Sequence, residues 1–187
     1  MEKFIEIHDN LIPNYLQNKI EHIACSSMPW YYLKNIAEKH SSLYAPGFGH
    51  EFITADILNS PAKSDFLYLL NNVLYIFAYQ RNIIINNILM GRLFMHLPTT
   101  TPSRDEIHTD VGIPHLVCLY YVTDSDGDTV LFEDDRKTII KSVTPKKGRI
   151  VFFDGSIPHC STKPSKSTRI IVNFDFFGDF FNKEKEN

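Results

Sequence analysis

The stretch Arg149-Ile150-Val151-Phe152-Phe153-Asp154-Gly155-Ser156-Ile157-Pro158-His159-Cys160-Ser161 sets the architecture of this chain. Ile150 to Phe153 is an apolar, β-branched and aromatic run with the length of a buried strand, and Asp154-Gly155 is turn chemistry. A second extended run, about 157 to 162, follows at once, with Pro158 fixing the chain before His159. After a polar interval comes a third, about 168 to 177, containing Arg169-Ile170-Ile171-Val172-Asn173-Phe174. Read back toward the N-terminus, the same texture reaches Asn82, with runs at about 83 to 97, 106 to 110, 115 to 123, 128 to 133, 138 to 144 and 149 to 154. Asp124-Ser125-Asp126-Gly127, Asp134-Asp135-Arg136 and Pro145-Lys146-Lys147-Gly148 separate several of them. Eight short strands predict a double-stranded β-helix, or jelly roll.

The first eighty residues read differently. Pro13 can open a helix whose apolar face is Leu16, Ile20, Ile23 and Ala24, ended by Ser26-Ser27 and Pro29. Ser60-Pro61 is the start signal of a second, with a stripe of Phe66, Leu69, Leu70, Val73, Leu74 and Phe77. Ser41 to Gly49 reads as an aromatic loop around Tyr44 and Phe48, and Asn182 to Asn187 as a frayed tail. The expectation is a mainly β chain with N-terminal helices (α+β). It forms one domain over 1–187, with helical support at about 1–81 and a jelly-roll core at about 82–178.

Composition narrows the function classes. The chain has 187 residues, 43% of them apolar and 13% aromatic, enough for one substantial core. A formal net charge of −3 with scattered lysines and arginines argues against a nucleic-acid surface. Cys25, Cys118 and Cys160 form neither a Cys-x-x-Cys pair nor an even set, which points away from disulfides and structural zinc and toward a reducing cytoplasm. No run has membrane-spanning length, because Gln80-Arg81 and Asn86-Asn87 interrupt the most apolar region, and the opening residues lack a signal-peptide core.

His108-Thr109-Asp110 is the first chemical signal. With eight histidines in the chain, a His-x-Asp triplet arises by chance about once in two such sequences, so it gains weight only from context. Side chains two apart on a strand share a face, so His108 and Asp110 can reach one ion, and His159 lies on another predicted strand. Two imidazoles and a carboxylate are the facial donor set of non-heme Fe(II) oxygenases, which leaves the opposite face of the ion open. Arg169, ten residues past His159, has a planar fork that can grip the far carboxylate of a small diacid, a contact worth about 1.5–3 kcal/mol.

From about 91 to 176 the chain resembles the catalytic core of the 2-oxoglutarate and Fe(II) dependent dioxygenases, with a texture like that of the prolyl 4-hydroxylases. The resemblance rests on His108-Thr109-Asp110, on Cys118-Leu119-Tyr120-Tyr121-Val122 followed by Asp126 to Phe132, on Arg149 to Phe153, and on Pro158-His159 with Arg169. It implies iron ligation by His108, Asp110 and His159, and a 2-oxoglutarate pocket with Arg169 on the distal carboxylate. Tyr121 and Asn173 match other pocket positions. It further implies O2 as a reactant, ascorbate as an accessory reductant, and oxidation of a protein prolyl group, an amino acid or another small molecule, with succinate as co-product. An aspartate at position 110, where halogenating relatives have a small residue, implies hydroxylation. One departure stands out: prolyl hydroxylases often have a tyrosine before a proline that touches the co-substrate near iron, and here Leu97 precedes Pro98. Arg92 and His96 are the candidates to substitute.

Other signals carry less. Asp124, Asp126 and Asp128 imitate a calcium loop, but Thr129 stands at the required glycine and strands flank it, so a hairpin turn is expected. Asp154, Ser156 and His159 lack the nucleophile elbow of a hydrolase. Dealkylating nucleic-acid dioxygenases carry a second arginine six past the first, and that position is Asp175. The rival to an enzyme is a catalytically silent jelly roll that binds metal or ligand as an interaction module.

Overall fold

Burial on both faces explains why Leu116 to Tyr121 and Ile150 to Phe153 read as unbroken apolar runs. The computed structural model describes residues 3–36, 46–54, 64–101 and 103–181. Its elements are β1 (Ile5–His8), α1 (Asn14–Ser26), β2 (Tyr31–Leu33), β3 (Gly47–Ile53), α2 (Leu67–Arg81), β4 (Ile83–His96), β5 (Leu116–Tyr121), β6 (Thr129–Phe132), β7 (Ile139–Val143), β8 (Ile150–Asp154), β9 (His159–Ser161) and β10 (Arg169–Phe180). They form a seven-stranded antiparallel sheet in the order β1-β8-β5-β10-β4-β3-β2 and a three-stranded sheet in the order β7-β6-β9. The chain is a jelly roll with helices packed on its larger sheet.

Alternation sorts the two faces of that sheet. Cys118, Tyr120, Phe152, Val172 and Phe174 point to one side, against Ile20 and Ala24 of α1 and Leu70, Val73, Leu74 and Phe77 of α2. Val117, Leu119, Tyr121, Val151, Phe153 and Ile171 point to the other, against Leu131 and Val143 of the smaller sheet and Ile157 in the turn before β9. Phe77 and Phe152 meet nearly edge-on with centroids 5.0 Å apart, and burying a side chain of that size contributes about 1.5–3 kcal/mol. Asn82 stops α2 in the left-handed conformation (φ 53°), its backbone N–H donating to the Ala78 and Tyr79 carbonyls.

Both predicted helices form, though Ser60 and Pro61 lie outside the described residues and α2 is described from Leu67. The first eighty residues are not only helical. β1 extends the large sheet at β8, and β3 pairs with β4 and β2. Gly47 and Gly49, expected in a loop, belong to β3. A Cβ at Gly47 would come within 2.6 Å of Ile36 Cδ1 and one at Gly49 within 2.7 Å of Leu33 Cδ1, so glycine permits the close approach of that edge. Tyr44 lies outside the described residues, as does the tail from Asn182.

Two further expectations change. Residues 106–110 form no strand; a single antiparallel bridge joins His108 to His159. The aspartate segment 124–128 is not a hairpin turn, because β5 and β6 belong to different sheets. It is a crossover whose carboxylates tie neighbouring loops: Asp126 accepts from the Ser165 and Lys166 backbone N–H groups, and Asp124 from that of Lys147.

Candidate active site

Between the two sheets lies a cavity of about 50 Å³ whose polar lining comes from β4, β6, β9, β10 and the bridge segment. The bridge positions two of the candidate ligands. His108 N–H donates to the His159 carbonyl at 3.0 Å and His159 N–H to that of His108 at 2.9 Å, locking the two residues opposite each other. Each imidazole is then oriented by its own backbone: Nδ1 lies 2.9 Å from the Glu106 carbonyl oxygen in His108 and 3.0 Å from that of Ile157 in His159. A carbonyl can only accept, so Nδ1 carries the proton and the Nε2 lone pair is left for a metal.

Asp110 completes the set. His159 Nε2 is 3.3 Å from Asp110 Oδ2, His108 Nε2 is 4.0 Å from Oδ1, and all three donors fall within 4.8 Å of one another. Donors at right angles around a divalent ion with bonds of about 2.1 Å lie roughly 3 Å apart. The trio therefore fits one face of such an ion. Burial by itself would raise the Asp110 carboxyl, but the His159 ring, the Arg92 guanidinium and His108 outweigh it and hold the group well below the ordinary carboxylate range. Burial, with His159 nearby, lowers His108. Burial also acts to lower His159, but Asp110 prevails and raises it. A cation in the site would compete with the proton for the His159 ring.

Arg169 opens β10 directly opposite His96 of β4, and is 1% exposed. Its Nη2 donates to Thr129 Oγ1 at 2.7 Å, while Nε and Nη1 have no protein partner. Burial lowers its basicity more than Tyr121 and Asp105 restore it, so this is a desolvated cation without a contacting counter-charge. Its unpartnered edge in the same cavity as the donor trio suits the distal carboxylate of a small dianion chelated at the metal.

Tyr121 stands one layer behind. Its hydroxyl lies 2.7 Å from Thr129 Oγ1 and 3.2 Å from the Val143 carbonyl oxygen, and its ring lies 5.7 Å from the Arg169 guanidinium carbon. Tyr121 is absent from the cavity wall; Thr129 is present. Asn173 lines the cavity, with Nδ2 3.4 Å from Asp110 Oδ2. Of the two candidates to replace the tyrosine missing at Leu97, Arg92 is engaged, 2.9 Å from both Asp110 and Asp175. His96 lines the cavity, is 3% exposed and has no hydrogen-bond partner at either ring nitrogen, its Nε2 lying 3.5 Å from Asp105 Oδ2. Burial and the nearby Arg169 and Lys163 charges hold it well below its usual pKa, so it is neutral.

Sequence reasoning missed Thr129, Asp105, Lys163 and Asp175. Lys163 Nζ lies 2.6 Å from Asp105 Oδ1, beside His96. Asp175 carried a legible signal, as a charge inside the otherwise uncharged stretch Ile170 to Phe177. Among the described residues a second donor group, Asp110, His115 and Asp175, also has metal-like spacing. Arg92 Nη2 already bonds both of its carboxylates, which supplies the positive charge there.

No protein-family model matches the chain, and no curated protein matches it. Solved structures do resemble it. A viral collagen prolyl hydroxylase from Paramecium Bursaria Chlorella virus-1, in complex with 2-oxoglutarate, is 13% identical with a TM-score of 0.58, covering 93% of this chain and 96% of that one. A prolyl hydroxylase from Trichoplax adhaerens, bound to a hypoxia-inducible-factor peptide fragment, is 14% identical with a TM-score of 0.63, covering 92% and 83%. A non-heme alpha-ketoglutarate-dependent epimerase of nogalamycin biosynthesis is 8% identical with a TM-score of 0.61, covering 98% and 83%. At these identities the likeness establishes the fold: a prolyl 4-hydroxylase-like 2-oxoglutarate oxygenase fold.

Proposed function

We propose that this chain is an Fe(II)- and 2-oxoglutarate-dependent dioxygenase that hydroxylates a C–H bond of a protein prolyl residue, an amino acid or another small molecule. One observation carries the reading: the His108, Asp110 and His159 donors share a cavity with the unpartnered, buried edge of Arg169. Neither a structural metal nor a packed core calls for that pairing. Bound Fe(II) would supply the activation of O2 that couples decarboxylation of 2-oxoglutarate, giving succinate and CO2, to oxidation of the substrate.

The protein's part is binding and orientation. Arg169 and Thr129 hold the distal carboxylate; His108, Asp110 and His159 hold the metal at the other end of the cavity. The buttressed Nδ1 groups keep both imidazoles in the ligating tautomer. A larger cleft of about 690 Å³ borders Thr109, Val111 and His115 on the flank of the metal-binding segment. It is of a size usual for ligand sites and is the substrate entry in this reading. Among the described residues no helix is long and apolar enough to cross a membrane. The cysteines Cys25, Cys118 and Cys160 are free, which suits the cytoplasm.

The test is succinate formation by purified protein given Fe(II), ascorbate and 2-oxoglutarate, across a panel of peptides and amino acids. His108→Ala should abolish both iron binding and succinate. An intact, iron-loaded wild type that makes no succinate on a broad panel, with His108→Ala binding iron unchanged, refutes the enzyme and leaves a binding module.

A further inference from the structure

Both oxygens of Asp110 border the metal position, Oδ2 toward His159 and Oδ1 toward His108. Nothing in the donor trio itself prevents that carboxylate from chelating the ion through both. Arg92 does. Its Nη2 donates to Asp110 Oδ1 at 2.9 Å and, from the same nitrogen, to Asp175 Oδ2 at 2.9 Å. Its guanidinium carbon lies 5.3 Å from the centroid of the Phe94 ring, which restricts its travel. β4 and β10 put Arg92 opposite Asn173, and Asp175 two residues on shares that face, so the arrangement is built into the sheet. Asp175 is fully buried between Arg92, 2.9 Å from its Oδ2, and His115, whose Nε2 lies 3.5 Å from its Oδ1.

We propose that Arg92, held by Asp175, is a positioning residue that reserves Oδ1 of Asp110 and so limits this carboxylate to one metal bond, through Oδ2. The inference rests on the Fe(II) and 2-oxoglutarate reading above. A six-coordinate ion with three protein bonds keeps three positions, enough for a two-atom 2-oxo acid chelate and O2. A second bond from Asp110 removes one of them.

The experiment uses Mn(II), a redox-inert probe, with wild type, Arg92→Met, Arg92→Lys and the double variant Arg92→Met/Asp175→Asn, which removes the buried Asp175 carboxylate together with its Arg92 partner. Folding is checked by thermal melting, and the double variant decides the case where Arg92→Met is unstable. Metal affinity should hold or rise in the Met variants, because a cation has left and an oxygen has been freed. Water-proton relaxation by bound Mn(II) should fall by about a third, as three open positions become two. In the Mn(II) and 2-oxoglutarate complex, where the chelate fills the two positions left in the Met variants, the relaxation due to the last metal-bound water should be lost, with Arg92→Lys recovering most of it. A parallel loss of metal and 2-oxoglutarate binding in the double variant means a merely structural role and overturns the proposal. So does unchanged relaxation. A wild type that binds neither Mn(II) nor 2-oxoglutarate would instead overturn the functional reading itself.

Discussion

Replacing Arg169 with methionine should separate stability from ligand binding with opposite signs. In the free protein Arg169 is a buried cation whose direct partner is the Thr129 hydroxyl, and burial dominates its energetics. Removing such a charge in favour of an apolar side chain of similar length is neutral or stabilising, so the Tm without ligand should hold or rise. Toward 2-oxoglutarate the sign reverses. Nε and Nη1 are both unpartnered, and a charge-assisted hydrogen bond contributes about 1.5–3 kcal/mol. One lost contact weakens binding about tenfold; two at the lower bound, about 3 kcal/mol, weaken it roughly 150-fold. With Mn(II) present and 2-oxoglutarate at about 100 times the wild-type Kd, the wild type gains about 2.7 kcal/mol, or roughly 5–11 °C in Tm. At that concentration a variant weakened about a hundredfold sits near its own Kd and gains about 0.4 kcal/mol, close to 1 °C. Thermal melts with and without ligand read both effects. A variant that keeps the full ligand-induced shift, or loses stability before ligand is added, refutes the assignment of Arg169 as the carboxylate grip.

Thr129→Val keeps the side-chain shape and removes the hydroxyl next to Arg169 and Tyr121, so 2-oxoglutarate should bind the Mn(II) form about tenfold more weakly while Thr129→Ser stays near wild type. His96 has a pKa depressed by burial and by the Arg169 and Lys163 charges. Between that pKa and the unfolded value near 6.5 the unfolded chain binds more protons, so His96 subtracts stability as pH falls through this window. Chemical denaturation of metal-free protein from pH 7.5 to 5 should therefore show a shallower loss for His96→Gln than for wild type, and equal slopes would exclude the effect. Phe77→Ala empties the centre of the helix-to-sheet core and should cost about 3–5 kcal/mol by urea unfolding, with metal affinity intact in the folded fraction.

The readable parts of the fold were those whose burial leaves a pattern. β5, β8 and β10 are covered on both faces, so Leu116 to Tyr121, Ile150 to Phe153 and Arg169 to Phe176 read as continuous runs. β1 and β2 did not, at four and three residues, and β3 was hidden by two glycines that suit a loop until Leu33 and Ile36 are seen to need the space. The segment Glu106-Ile107-His108-Thr109-Asp110 pairs at His108 alone, and its Glu106 and Ile107 carbonyls accept instead from the His108 ring and from Arg136.

The same division holds at the site. The donors His108, Asp110 and His159 were visible because metal ligation needs particular residue types at a spacing the strands impose, and the structure brings them together. Arg169 was visible as a charge entering an apolar strand. Thr129 was not, since one hydroxyl on a buried strand acquires meaning only when Arg169 points at it across the sheets. Arg92 in Met90-Gly91-Arg92-Leu93-Phe94 and Asp175 in Asn173-Phe174-Asp175-Phe176 gave the signal of buried charge, and what the sequence lacked was the register that makes them partners. Tyr121 points inward as its strand parity requires, yet the smaller sheet lies close enough to engage its hydroxyl at Thr129 and Val143.

The claim that this cavity couples O2 to 2-oxoglutarate is tested most directly by isotope. Protein loaded with Fe(II) and incubated with 2-oxoglutarate under ¹⁸O2 should release succinate carrying one ¹⁸O atom in its new carboxylate, and His108→Ala should release none. Succinate without label, or label that persists in His108→Ala, would contradict the proposed chemistry.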